Sequence, residues 1–228
     1  MRRPAACVKI PLMEAPPFAV HHDLDGWDLF WIHLEFISGQ EEGVAALRRT
    51  SSERARGRFA PDSIPSDPTV AALRSLFRAA GCDPTRYRPS SEALLRRVLK
   101  GEDLPAIHPL VDLNNCLSVE LAVPCCVVGE ESFTPPVVLR AGRAGESYES
   151  LRGPFNLEGK PLLADAEGPF GTPITDSQRV KVREGDRRAW MVAYLPRGIL
   201  TAEAGRSALN DLLAAAPVAR LEETGVSR

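Results

Sequence analysis

Apolar residues recur every three or four positions in several stretches of the chain, a spacing that is typical of amphipathic helices. Asp67 and Pro68 predict one helix start, with the aspartate as cap and the proline at the first helical position, and Gly81 ends that helix. Ser90 or Ser91 can cap the next helix. The predicted helices cover residues 40–49, 68–80, 90–100, 109–120 and 201–216.

Short stretches rich in β-branched and aromatic residues predict strands, mostly after Pro124. They cover residues 125–128, 136–139, 162–164 and 190–195, and an earlier stretch, 27–37, is interpreted as a strand or a short buried element. The polar segment 50–67 contains three arginines and two prolines, so we expect a loop there. Helices first and strands later indicate an α+β fold, with a mixed or antiparallel sheet and flanking helices, in a single domain over 1–228.

Composition excludes some classes of protein. The 228 residues are 44% hydrophobic and 25% charged, which is ordinary for a globular protein, and the net charge of -2 argues against a DNA-coating protein. No apolar run approaches the roughly 20 residues that a membrane span requires. The positive N-terminus is followed by too short an apolar stretch for a signal peptide, so we expect a cytoplasmic protein with no membrane or DNA partner.

The cysteines and histidines suggest no metal centre. The chain has five cysteines, Cys7, Cys82, Cys116, Cys125 and Cys126, with no C-x-x-C spacing, and only four histidines. Free thiols are the simplest interpretation, and we predict no metal site and no cofactor. Neither a phosphate-binding loop of the G-x-x-x-x-G-K type nor a G-x-S-x-G nucleophile motif is present.

Three blocks of sequence are more informative. They are RYRPSSEALLRR at 86–97 with PLVDLNN at 109–115, then LRAG at 139–142 with GESY at 145–148, and DAEGPFGTP at 165–173 with DSQR at 176–179. In this order they resemble the standalone family related to the editing (B3/4) domain of the phenylalanyl-tRNA synthetase beta subunit. The resemblance covers a core of about residues 70–195. It implies an α+β domain with a β-rich half that hydrolyses the ester between a wrong amino acid and its tRNA, with mischarged tRNA as the partner.

The resemblance also implies site residues. A Thr-Asn pair that lines the synthetase pocket matches Asn114 and Asn115, and a glutamate that reads the substrate side chain falls near Asp176 and Ser177. A histidine of the synthetase domain matches Cys126, which is a departure that puts histidine-dependent chemistry in doubt.

An aminoacyl ester is already activated, so a positioned water and a stabilised oxyanion suffice for hydrolysis. The expected catalytic residues are Asn114, Asn115 and Asp176, with backbone N–H groups of a turn at 168–172 stabilising the oxyanion. The expected substrate-binding residues are Glu92, Cys126, Gly171, Thr172, Ser177 and Arg179. The expected tRNA-binding residues are Arg86, Arg88, Arg96 and Arg97.

Each of these residues also has a structural interpretation, which stays open here. The two asparagines can bond helix to loop, the arginines can form a solvated helix face, and Cys126 can belong to the core. Glu92 can be a first-turn helix charge, and Asp112 a cap or the partner of a nearby arginine.

The substrate and the reaction class are open as well. Some standalone relatives in that family are associated with clearing canavanine from tRNA for arginine, and tyrosine-type errors are the alternative. Asp176 in Glu-rich surroundings would suit a cationic or polar substrate. The competing functions are a non-catalytic module that binds tRNA or an amino acid, and a hydrolase of small amino-acid esters or amides.

Overall fold

Two long strands form the centre of the fold within residues 20–228, the part of the chain that the computed structural model describes. The helices of this part are α1 Glu41–Arg58, α2 Pro68–Ala79, α3 Ser90–Leu99, α4 Pro109–Leu121 and α5 Ala202–Ala215. Its strands are β1 His21–His22, β2 Trp27–Phe36, β3 Cys125–Gly129, β4 Val138–Ala141, β5 Ser147–Ser150, β6 Gly153–Asn156, β7 Pro161–Asp165, β8 Gly168–Gly171, β9 Arg188–Pro196 and β10 Ala219–Ser227.

The main sheet has the order β10-β2-β9-β3 and is antiparallel throughout. A second sheet has the order β1-β4-β7-β8, in which only the β1–β4 pair is parallel, and β5 and β6 form a separate hairpin. Eight of the nine residues of β9 are buried, as a central strand covered on both faces requires. The predicted α+β class with a mixed or antiparallel sheet and flanking helices is confirmed.

Helix α4 lies in the interior of the fold and carries Asn114 and Asn115. It contacts α1, α3, α5 and strand β3, and nine of its thirteen residues are buried. His108 caps its N-terminus, since the imidazole accepts a hydrogen bond from the backbone N–H of Leu110. Asp112 pairs with Arg48, and its second oxygen accepts from the backbone N–H of Ile107 at 2.9 Å. Asp112 therefore forms the expected pair with an arginine and also accepts a backbone N–H next to the start of α4.

The predicted start of α2 is confirmed by hydrogen bonds at its N-terminus. The Asp67 carboxylate accepts from the backbone N–H groups of Thr69 and Val70, at 3.0 and 3.2 Å. The predicted serine cap of α3 is wrong, because neither Ser90 nor Ser91 makes a capping bond there and Pro89 occupies the cap position.

The predicted loop at 50–67 is wrong in its first half, because α1 continues to Arg58. Ser51 and Ser52 are buried, and the Ser51 hydroxyl donates to the Glu120 carboxylate of α4 at 3.1 Å. Arg54 pairs with the same carboxylate, and Arg58 donates to the Glu120 carbonyl at 2.7 Å. The polar residues that suggested a loop are thus the contacts that hold this end of α1 against α4.

Strands β5, β6, β8 and β10 were not predicted. Strand β10 has the sequence ARLEETGVS and forms an edge of the main sheet, so most of its side chains are polar and partly exposed. Edge strands with one exposed side lack the strong apolar signal on which strand prediction relies.

No helix in the described part of the chain is long and apolar enough to cross a membrane. Within residues 20–228, no group of three or more His, Cys, Asp or Glu side chains is arranged to hold a metal ion. The four described cysteines are free and buried. Cys7 and the N-terminal residues on which the signal-peptide argument relied lie outside the described residues.

Two helical glycines allow a matched test of the packing. A methyl group at Gly205 of α5 would come within 2.8 Å of the buried Phe30 ring, whereas one at Gly57 of α1 meets no atom within 4 Å. Gly205→Ala should lower the free energy of unfolding by about 1–3 kcal/mol through overpacking. Gly57→Ala should raise it by up to about 1 kcal/mol through helix propensity. Urea denaturation of both variants measures this, and equal effects of the two would contradict the packing of α5 on β2.

Candidate functional site

A pocket of about 690 Å³ opens between α3, the start of α4, residues 151–155 of the β5–β6 hairpin, and the loops that carry residues 172–176 and 181–182. Asn114 and Asn115 contribute from α4, and Asp176 contributes from the loop after β8. Asn114, Asn115 and Asp176 are the three residues expected to be catalytic, and the fold brings all three to one cavity although some 60 positions separate them in the chain.

The loop that presents Asp176 is held by a dense set of local hydrogen bonds. The Thr172 hydroxyl donates to the Thr175 carbonyl at 2.6 Å and accepts from the backbone N–H groups of Ile174 and Thr175. Tyr148 also donates to the Thr175 carbonyl, at 2.6 Å. A threonine that closes its own turn in this way fixes the backbone that follows it. Asp176 therefore projects from a rigid turn.

Asp176 has an unusual electrostatic environment. Burial raises the pKa of its carboxyl group from the ordinary 3.8 to about 7, against a smaller opposing effect of the Thr172 backbone N–H. Its Oδ1 atom is shielded from solvent and has no hydrogen-bond partner among the described residues. A carboxylate with a pKa near neutrality is suited to accepting and returning a proton at physiological pH.

Two further shielded polar atoms without partners belong to the same region. They are the Oδ1 atom of Asn114, which lines the pocket, and the hydroxyl group of Tyr194 on β9. A methyl group at Gly171 would lie 3.2 Å from Asp176 Oδ1 and 3.8 Å from the Tyr194 oxygen, so these two atoms flank the same glycine. Buried polar atoms without partners destabilise a fold by about 1–3 kcal/mol each, so their concentration at one place favours a ligand-binding role.

The two asparagines differ in their contacts. The Asn114 side-chain NH₂ donates to the Cys125 carbonyl at 3.2 Å, which bonds α4 to β3 and fixes the orientation of the amide. Asn115 is half-buried at the pocket wall and its amide makes no hydrogen bond within residues 20–228. Asn114 thus combines the structural bond expected for it with a free carbonyl oxygen, and Asn115 presents a free amide.

Most of the charged side chains in the pocket lining are basic, although Arg97 is paired with Glu102 at 2.7 Å. The lining includes five basic side chains, which we call the basic rim: Arg86, Arg88, Arg97, Arg152 and Lys181. Asp176 is the only carboxylate among the described residues of the lining. The Glu-rich surroundings expected for Asp176 are therefore wrong, because no glutamate lines this pocket.

Three of the four expected tRNA contacts belong to the basic rim, and one does not. Arg96 lies outside the pocket and pairs with Glu92 at 3.0 Å. Glu92 is completely buried and also pairs with Arg74 at 2.8 Å and with Arg88 at 3.4 Å. This carboxylate is not part of the pocket lining, and its three guanidinium partners favour the structural interpretation.

Other expected substrate contacts lie behind the pocket. Cys126 is 1% exposed, and burial raises the pKa of its thiol well above the usual range, so the thiol is held in the protonated form. Cys125, its neighbour, lines the pocket instead. Ser177 is buried and Arg179 forms a two-bond ion pair with Asp165 at 2.9 and 3.0 Å, both outside the pocket lining.

The backbone groups expected to stabilise an oxyanion are mostly engaged. Residues 168–171 form strand β8, and no turn spans them. The N–H of Gly168 donates to Asp165 at 3.0 Å, and that of Thr172 donates to the Thr175 carbonyl at 3.2 Å. The expected oxyanion turn is therefore wrong for these two groups, although Thr172 itself lines the pocket.

Other pocket residues were not anticipated from the sequence. Arg152 and Phe155 reach the pocket from the β5–β6 hairpin, Lys181 from the loop before β9 and His108 from the N-terminal cap of α4, so only the tertiary fold brings them together. Tyr87 also lines the pocket, and unlike these four residues it belongs to a motif-bearing block, the one at 86–97.

Comparison with known proteins gives one family match. A family model described as the B3/4 domain matches residues 72–210, more than half of the chain. Among solved structures, an N-terminal fragment of the phenylalanyl-tRNA synthetase beta subunit from Pyrococcus horikoshii is similar, with 12% identity and a TM-score of 0.42 over 87% of this chain and 46% of that one. This chain thus spans less than half the length of that fragment. No curated protein matches the chain.

The raised pKa of Asp176 predicts how stability changes with pH. Between its ordinary value of 3.8 and about 7, the folded chain holds a proton on Asp176 that the unfolded chain has released. Stability contributed by this group is therefore present at acid pH and lost as the pH rises through about 7. Asp176→Asn should raise the melting temperature at pH 8 and leave it nearly unchanged at pH 4, as thermal denaturation can measure.

Asp165 provides a control for this prediction, because its contribution to stability depends on pH in the opposite direction. Burial opposes the shift, but hydrogen bonds from Arg179 and from the Thr134 backbone lower the pKa of Asp165. Its contribution is present at neutral pH and lost as the pH falls. Asp165→Asn should therefore lower the melting temperature at pH 8, with a difference that shrinks on acidification. A destabilised Asp176→Asn variant at pH 8 would contradict the environment described for Asp176.

Proposed function

The chain belongs to the B3/4 domain family, and from that premise we propose that it hydrolyses the ester bond of wrongly charged aminoacyl-tRNA. The observation that carries this proposal is the pocket itself, whose lining contains one carboxylate with a pKa of about 7 and five basic side chains. The carboxylate suits ester hydrolysis, and the basic rim suits the phosphates of a tRNA end. We also propose that residues 1–228 act as a single domain.

In the proposed reaction, Asp176 is the general base. The ionised carboxylate accepts a proton from a water molecule, whose oxygen attacks the carbonyl carbon of the ester. The tetrahedral intermediate then collapses, the bond between that carbon and the ribose oxygen breaks, and Asp176 returns its proton to the ribose oxygen. The amino acid leaves as the free acid, and the tRNA regains its hydroxyl group. No protein nucleophile is required, in agreement with the protonated state of Cys126.

The asparagines position the reactants in this scheme. The free carbonyl oxygen of Asn114 can accept a hydrogen bond from the substrate α-amino group or from the attacking water. The unpaired amide of Asn115 can donate to the developing oxyanion, a role that the engaged backbone groups of Gly168 and Thr172 do not fill.

The basic rim favours a tRNA substrate over a small ester. The chain as a whole has a net charge of -2, yet the pocket lining has five basic residues and one acidic residue. A small amino-acid ester has no phosphate groups for these side chains to contact, whereas a tRNA end has several. Canavanyl-tRNA for arginine and tyrosyl-tRNA for phenylalanine are the first candidates to test.

A non-catalytic binding module is the second candidate function. It is favoured by the one clear departure from the resembled motif, Cys126 at the histidine position, because a domain that has lost a catalytic group keeps its pocket and its rim. Turnover separates the two candidates, and binding alone does not.

We expect Asp176→Asn to lower the rate constant of deacylation by about 10²–10⁴-fold if Asp176 is the general base. The rate of the native chain in excess of that of the variant should rise with pH as the carboxylate ionises through about 7. Release of amino acid from a panel of mischarged and correctly charged tRNAs, measured from pH 5.5 to 8.5, tests this. Asn115→Ala should also be slower.

Asp83→Asn is the matched control, because Asp83 is exposed and lies outside the pocket lining. This variant should keep the native rate and the native pH profile. If no member of the panel is hydrolysed while tRNA binding persists, the chain is a binding module. Unchanged activity of Asp176→Asn would remove Asp176 from the mechanism.

The basic rim should also determine how binding depends on salt. The double variant Arg152→Ala/Lys181→Ala should bind tRNA more weakly and with a shallower salt dependence, by about 0.7 in the slope of log K against log salt for each lost contact to a single-stranded end. Fluorescence anisotropy between 50 and 300 mM salt measures both quantities.

Arg143→Ala/Arg206→Ala removes the same net charge from exposed positions outside the pocket. Its affinity and its salt dependence should match those of the native chain. An equal loss in both double variants would mean that tRNA responds only to the overall charge, and binding that is insensitive to salt would favour the small-ester alternative.

A further inference from the structure

Lys160 is a buried lysine with no negative partner among residues 20–228. It is 2% exposed and immediately precedes β7. No carboxylate in residues 20–228 lies within 4.0 Å of its ammonium nitrogen, whose polar contacts are the Asn156 side-chain oxygen at 3.5 Å and the Glu158 carbonyl at 3.4 Å. Cys82 interacts electrostatically with Lys160, but burial raises the pKa of that thiol to about 11 and so keeps it neutral. The lysine charge is therefore not cancelled by the described groups near it.

Lys160 contacts two aromatic rings instead. Its ammonium nitrogen lies 3.9 Å from the centroid of the Tyr87 ring and 5.4 Å from that of the Phe155 ring. The two rings meet edge to face, with centroids 6.1 Å apart and an interplanar angle of 87°. Both rings line the pocket, and Lys160 does not. We call these two rings the aromatic wall, behind which Lys160 lies.

We propose that Lys160 makes the aromatic wall a filter against cationic side chains, so that the aminoacyl group taken by this pocket has a neutral side chain. This inference rests on the proposed function and names the substrate class of the same site. It assigns Lys160 a specificity role, although the residue touches no substrate.

The physical reason is that an aromatic face normally attracts a cation through its negative π-system. Here the π-system of Tyr87 already interacts with Lys160, and the Arg86 guanidinium lies 5.1 Å from the same centroid. A further cation at this wall would meet the unneutralised charge of Lys160, which is buried and therefore screened by water less than an exposed lysine. A neutral planar group meets no such repulsion.

The rest of the pocket acts in the same direction. Among the described residues of the lining, Asp176 is the only carboxylate that could pair with a cationic side chain, and the proposed reaction uses it for the water. The pocket therefore has no acceptor reserved for a guanidinium or ammonium group, whereas neutral side chains can pack on Tyr87 and Phe155.

The test uses a pair of ligands that differ in charge and hardly in shape. The probes are 3′-amino-3′-deoxyadenosine acylated with citrulline or with arginine, whose amide linkage replaces the ester. Isothermal titration calorimetry at pH 7.5 gives the ratio of the two affinities. The native chain should bind the citrulline probe at least about tenfold more tightly than the arginine probe.

Variants at Lys160 test whether its charge causes the difference between the affinities for the citrulline and arginine probes. Lys160→Met and Lys160→Gln should bring the ratio close to one, chiefly by strengthening arginine binding, while Lys160→Arg should keep the preference for citrulline. Thermal denaturation of each variant identifies any that does not fold, and the two neutral variants provide independent readings. A purely structural role would change both affinities together in all three variants.

Equal affinities in the native chain, a ratio that the neutral variants leave unchanged, or binding of neither probe would overturn the inference. These outcomes differ from a failure of the proposed function, because the amide probes require no hydrolysis. A chain that prefers citrulline but releases no amino acid from any tRNA would keep the filter and lose the deacylase.

Discussion

The placement of helix α4 in the interior is the constraint on which the rest of the structure depends. A helix that is buried on nearly all sides must satisfy its polar side chains internally. Asp112 does so with Arg48, Ser118 donates to the Val123 carbonyl at 2.7 Å, and Asn114 donates to the Cys125 carbonyl. These bonds fix α4 against α1 and β3, and thereby fix the face that carries Asn115 toward the pocket. The pocket residues of α4 are held in a defined position because these bonds leave the helix few alternative positions.

The pocket differs from the contacts of α4 with α1 and β3 because some of its buried polar atoms have no hydrogen-bond partner within residues 20–228. Asn114 Oδ1 and Asp176 Oδ1 are shielded from water and have no partner among the described residues. Such atoms lower stability, and sites of binding or catalysis are where proteins retain them. Burial also raises the pKa of Asp176, because it disfavours the charge of this carboxylate in the folded state. The general-base role proposed for Asp176 depends on that raised pKa.

The sequence predicted what local chemistry determines. Asp67 with Pro68 specified a helix start correctly because a cap needs only its own next three residues. The polar residues of α1 led to the wrong prediction of a loop, because Ser51 and Arg54 bond to Glu120, which lies 66 to 69 positions away in the chain. The pocket residues divide in the same way into predicted and unpredicted ones. The motif blocks predicted Asn115 and Asp176, whereas Arg152 and Lys181 line the pocket only because of the tertiary fold.

The net charge of the chain does not reveal how its charged residues are distributed in space. The net charge of -2 argues against a DNA-coating protein, but among the described residues of the pocket lining only Asp176 is acidic. Glu92 alone holds Arg74, Arg88 and Arg96, so one buried carboxylate supports a surface with an excess of positive charge at the start of α3. Lys160 adds an unneutralised charge on the other side of the aromatic wall. Because ion pairs and ring contacts within the framework hold these side chains, the pocket lining contains five basic residues and one acidic residue before any substrate arrives. The proposed attraction of phosphate groups and the proposed repulsion of a cationic side chain both follow from that arrangement.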